Sequence, residues 1–140
     1  MAVWIILALL SAAFAALVAI FGKVGVQGLD STLATTVRAV IMAVFLVAMS
    51  LALDKAKLLS TISGRALLFV ALSGVAGALS WLFYFGALKV GPAAGVAALD
   101  RLSVVFVVIF ATLFLGEKLT LTTASGAVLL TIGAILLTRG

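Results

Sequence analysis

The sequence predicts an all-α membrane protein, five transmembrane helices in one compact bundle with almost no soluble part. Three observations carry this. Of the 140 residues, 66% are hydrophobic and only 9% are charged, where a soluble domain carries roughly a quarter charged residues. The apolar residues fall into five runs, each near the length of roughly 20 that a helix needs to cross a hydrocarbon core. The links between the runs are too short to hold a soluble domain.

The first span, 3–22, is uncharged and ends at Lys23. No basic stretch precedes it and it is long for a signal sequence, so it reads as a retained helix. The second, 32–53, has Arg38 as its only charge, and Asp30 or Ser31 can cap its start. The third, 66–88, is uncharged and ends at Lys89. The fourth, 92–116, follows a Gly91-Pro92 break, with proline suited to a first helical turn, and carries Asp100 and Arg101 inside it. The fifth, 119–138, ends at Arg139. The Asp54–Arg65 link is the longest and the most basic.

Composition also narrows the chemistry. Cysteine and histidine are absent, which excludes disulfides, thiolate or imidazole metal sites, and Ser-His or Cys-His catalytic pairs. Four carboxylates remain, Asp30, Asp54, Asp100 and Glu117, with no nucleophile and base gathered around them. No enzyme, metal or cofactor is expected. The net charge of +5 does not indicate nucleic acid, because the basic residues are scattered between apolar runs rather than forming a patch. The expected partners are the lipid bilayer and a small molecule.

Orientation is finely balanced. The side holding the N-terminus collects Lys55, Lys57, Arg65 and Lys118. The other collects Lys23, Lys89 and Arg139, with Arg38 and Arg101 just inside the membrane there. A Lys/Arg excess normally sets the cytoplasmic side, and here neither side has a clear one. Two alternatives follow. One is a single orientation with the N-terminus inside, set by the basic Asp54–Arg65 link. The other is dual topology, with copies inserted both ways and pairing antiparallel.

Charges inside a bilayer usually face a cavity or a partner. Arg38, Asp100 and Arg101 are placed at similar depth on one side, with Lys23 and Lys89 nearby, so they are the candidates for a substrate or coupling-ion path. The bland alternative is that the arginines snorkel to the interface and Asp100 pairs with one of them. On the third helix Ser73, Gly77, Trp81 and Tyr84 share a stripe beside Ser80. Ser80, Trp81 and Tyr84 are candidates for a pocket wall, with ordinary packing or an interfacial belt as the alternative. On the fifth helix Gly126 and Gly133 stand on one face and form a candidate packing or dimer seam.

The stretch Ala87-Leu-Lys-Val-Gly-Pro-Ala-Ala-Gly-Val-Ala-Ala-Leu-Asp-Arg-Leu-Ser103, followed by Phe114-Leu-Gly-Glu-Lys-Leu119, resembles the second half of an EamA-type domain of the drug/metabolite transporter superfamily. Trp4, the Ile20-Phe21-Gly22-Lys23 end of helix one and Arg38 fit the same resemblance, which covers essentially the whole chain. It implies a single inverted-repeat unit like those of five-helix bacterial and archaeal transporters. Two antiparallel copies would rebuild the ten-helix body of tandem relatives. The expectation is a homodimeric secondary transporter of a small polar metabolite in a bacterial or archaeal cytoplasmic membrane, working by alternating access. The alternatives are a flippase subunit for a lipid-linked substrate and a non-transporting assembly subunit. Small multidrug resistance proteins, similar in principle, use a glutamate in their first helix. This sequence has no ionisable residue there before Lys23, which speaks against cationic drug export by that mechanism, and the surplus of cations near the expected cavity points to a neutral, zwitterionic or anionic substrate.

Overall fold

A computed structural model describes residues 2–139. Among them lie six α-helices: α1 (Val3–Val26), α2 (Ser31–Ala52), α3 (Gly64–Val90), α4 (Ala93–Asp100), α5 (Ser103–Phe114) and α6 (Leu121–Arg139). With α4 and α5 taken as one interrupted span, Ala93–Phe114, five helical segments are long and apolar enough to cross a membrane. Large hydrophobic side chains stand exposed along every span, among them Phe14, Leu46, Phe69, Phe110 and Leu129. This is the arrangement expected where lipid is the solvent.

Local chemistry explains the helix ends. Asp30 caps α2, its Oδ1 accepting from the amides of Thr32 at 2.9 Å and Leu33 at 3.0 Å. At the other end of α2, Asp54 adopts a left-handed conformation at φ 56°. This lets the Lys55 amide reach the Ser50 carbonyl at 2.8 Å and the Asp54 amide reach Leu51 at 3.0 Å, closing the last turn. The basic link that follows is not irregular throughout, since Ala56–Thr61 forms a 3-10 helix. Pro92 is the N-cap of α4 rather than its first helical residue, with extended backbone. Gly116, at φ 67°, ends α5 in the conformation glycine adopts most readily, and the Glu117 amide turns back to the Ala111 carbonyl at 3.2 Å.

The fourth span differs from the unbroken helix the sequence predicts. At Arg101-Leu102 the bonding tightens: Leu102 donates to Leu99 at 2.9 Å and Val104 to Arg101 at 3.1 Å, both three residues back. Such short 3-10 pieces inside a helix mark a point of altered direction or mobility. Neither proline nor glycine stands at the break.

The chain divides into two units, Met1–Val24 with Val90–Gly140, and Gly25–Lys89. In the first, α4 and α5 both pack on α6, and among the described residues the buried apolar side chains are all alanines, Ala19, Ala98, Ala111 and Ala134. Small residues let membrane helices approach closely. A close approach is at Gly95, where a Cβ would lie 3.3 Å from Pro92 Cγ and 3.7 Å from both Leu137 O and Thr138 Cα. Lys23 does not end α1; its ammonium donates to the Gly91 carbonyl at 2.8 Å, and the helix continues to Val26.

The second unit is built on the antiparallel α2–α3 hairpin. Its buried residues, Val26, Thr35, Phe85 and Leu88, gather toward one end of the hairpin. There the Lys89 ammonium donates to the Leu29 carbonyl at 2.9 Å. In both units span hydroxyls return to their own helix. Thr35, Thr36, Thr112 and Thr131 each donate to the carbonyl four residues earlier, at 2.8–2.9 Å.

Candidate functional site: a groove between two spans

On α2, Thr35, Arg38, Met42 and Leu46 recur at helical spacing. On α3, Gly74, Gly77, Ala78, Trp81 and Leu82 do the same. These two stripes line a groove of about 670 Å³. The volume arises from missing side chains, for a Cβ added at Gly74 or Gly77 would meet nothing within 4 Å. Such a volume is within the range of small-molecule sites, roughly 300–1,000 Å³.

The groove is apolar except near Arg38, Thr35 and Thr36. Thr35 is buried, and both threonine hydroxyls donate to their own helix, leaving only acceptor lone pairs. Arg38, half-buried, has its guanidinium carbon 3.6 Å from the centre of the Trp81 ring and 5.5 Å from that of Phe85. That is a cation–π contact, which strengthens where water is excluded. Trp81 is held in turn by an edge-on contact with Tyr84 at 5.4 Å and a tilted one with Phe85 at 5.9 Å. Neither carboxylate of this unit answers the Arg38 charge. Asp30 caps α2, and Asp54 pairs with Lys57 in the exposed turn.

The candidates named from sequence fall in different places. Arg38, Trp81 and Tyr84 come together. Ser80, one residue from Trp81, is exposed and is not part of the groove lining. The small-residue stripe passes through Gly74 rather than Ser73. Asp100 and Arg101 belong to the other unit. There Asp100 is the half-buried last residue of α4, and Arg101 is its exposed C-cap, at the break in span four. At Gly126 and Gly133 an added Cβ would meet nothing within 4 Å, so neither glycine is a close-packing point among the described residues of its unit. Sequence reasoning missed Phe85 and Gly74. Gly74 was detectable, since Gly74, Gly77, Ala78, Trp81 and Leu82 follow an i, i+3, i+4, i+7, i+8 pattern.

Five apolar spans define a polytopic integral membrane protein, and the groove beside Arg38 is its candidate site. Residues 2–139 match the EamA-like transporter family. The chain is also 52% identical over 134 residues to a Sinorhizobium protein named as an uncharacterized transporter in the cobO 3′ region, covering 96% of this chain and 95% of that one. No solved structure matches it. The chain belongs to the EamA-like transporter family and is a membrane transporter.

Proposed function

We propose that this protein is a secondary transporter of a small polar metabolite, working by alternating access as a homodimer in a bacterial or archaeal cytoplasmic membrane. The observation that carries the reading is Arg38. It is an arginine two turns inside a membrane span, beside a solute-sized groove, with no carboxylate of its own unit paired to it. Intramembrane charges of this kind mark substrate or ion paths. One five-span unit corresponds to half of an inverted-repeat transporter, whose site lies at the repeat interface, and this supports a pair of copies, with antiparallel insertion as the arrangement that completes the repeat. In this reading Arg38 meets the substrate, Trp81 forms the wall with Tyr84 packed against it, and Asp100 couples or orients.

Two measurements test it. The chain has no cysteine, so single cysteines at Ser60 and Gln27, in links at opposite ends of the spans, can be probed from outside intact cells with an impermeant thiol reagent. Partial labelling at both sites is the expected result for dual topology; labelling at one site alone overturns the antiparallel homodimer. Counterflow of labelled polar metabolites is then measured in proteoliposomes. Uptake that is saturable and lost in Arg38→Gln is expected. Absence of flux across a broad metabolite panel, in vesicles of verified orientation, refutes the transport mechanism.

A further inference from the structure

We propose that the α2–α3 groove is a carboxylate site, taking a small organic monoanion with an apolar body, and that Arg38 is its specificity-determining residue. The inference rests on the transport reading above and names its substrate class.

The geometry supplies each part of this assignment. At 3.6 Å from the Trp81 centroid, the Arg38 guanidinium is at van der Waals distance from the ring face. A contact through the face leaves the N–H donors, which lie in the guanidinium plane, available to a ligand. A guanidinium presents a planar fork that matches the two oxygens of a carboxylate. No other cation among the described residues lines the groove. One positive charge balances a carboxylate, whereas a dianionic phosphate would bring a second charge with nothing to answer it in an apolar cleft. An amine or quaternary cation would meet Arg38 as a like charge. The rest of the wall, Met42, Leu46, Ala78 and Leu82 over the open floor at Gly74 and Gly77, accepts hydrocarbon and offers no further donor. The ligand is thus charged at one end only.

Trp81 also supplies the readout. The sequence has two tryptophans, and Trp4 is an exposed residue of α1, so Trp4→Phe leaves Trp81 as the sole indole reporter. In nanodiscs of zwitterionic lipid, this variant is titrated with 3-phenylpropionate, with 3-phenylpropionamide and with 3-phenylpropylamine. The expected result is a saturable change in Trp81 emission with the acid and binding weaker by roughly ten-fold or more with the amide, the size of a lost charge-assisted bond. The amine should not bind. Arg38→Gln should abolish the preference for the acid and Arg38→Lys should restore part of it. Equal binding of acid and amide overturns the proposal, as does the absence of saturation for all three at millimolar concentration. This comparison needs no change at Arg38, so it holds even if the arginine variants fail to fold. A further arm adds phosphatidylglycerol to the nanodiscs. If the lipid alone changes Trp81 emission through Arg38 and the acid does not compete, the site binds a lipid headgroup and the proposal fails. Flux of the same acid, measured in parallel, separates the two readings. Binding without flux keeps the site and takes this acid off the transport path, while flux unchanged in Arg38→Gln keeps transport and refutes the site.

Discussion

Replacing Gly126 and Gly133 together by alanine separates what α6 does within one chain from what it does between copies. At both positions a Cβ would meet nothing within 4 Å. The single chain therefore presents no steric obstacle, and the substitutions act through the helix alone. Glycine in a helix interior is about 1 kcal/mol less favourable than alanine, so the double variant should gain up to ~2 kcal/mol as a monomer. If the same face is the seam between two copies, each methyl intrudes on that contact, where overpacking costs about 1–3 kcal/mol. The two effects have opposite signs and are measured separately. Monomer stability is followed by circular dichroism during SDS titration at high dilution in mild detergent. Self-association is followed by sedimentation equilibrium in density-matched detergent. A more stable monomer with weakened association is the expected outcome. A less stable monomer would refute the open space assigned to these glycines. Unaltered association would show that the face meets lipid and joins no second copy.

Two other predictions concern single contacts. The Leu33 amide bond is the main cause holding the Asp30 carboxyl below its ordinary value; partial desolvation opposes it, and the Thr32 amide and the Lys89 charge assist. Because the folded value is the lower one, the cap's contribution is complete above the ordinary carboxylate pKa of about 3.9 and is lost as pH falls through the folded value. Stability in detergent should therefore drop more steeply below pH 4 for the unaltered protein than for Asp30→Asn, and parallel curves would count against the cap. Gly95→Leu should destabilise the α4–α6 contact by about 1–3 kcal/mol, because even its Cβ would sit 3.3 Å from Pro92; a thermal-unfolding comparison with Gly86→Leu, where a Cβ meets nothing within 4 Å, checks that the effect is local.

The spans were legible because hydropathy and length are properties of single segments. The ends were less so. Lys23 looked like a terminus, but a lysine at a membrane interface can extend toward a polar group without stopping its helix, and here it reaches the Gly91 carbonyl. The break at Arg101-Leu102 carried no signal, since neither residue is a helix breaker. The sequence marks Arg38, Trp81 and Tyr84 one helix at a time. Their meeting depends on the register of the α2–α3 hairpin, which no periodicity within either helix specifies. The same ambiguity placed Ser73 in the stripe where the structure places Gly74.

The threonines that return their hydroxyls to their own backbone have a consequence for biogenesis. A polar side chain that satisfies itself within its helix brings no demand for a neighbour into the lipid, where unmet hydrogen bonds are costly. These threonines therefore place no obstacle to a helix leaving the translocon alone and assembling later. Arg38 is different, because its charge is met by Trp81, which is synthesised some forty residues afterwards. The second helix thus has reason to linger at the lateral gate until the third emerges, which makes the α2–α3 hairpin the natural step of co-translational insertion.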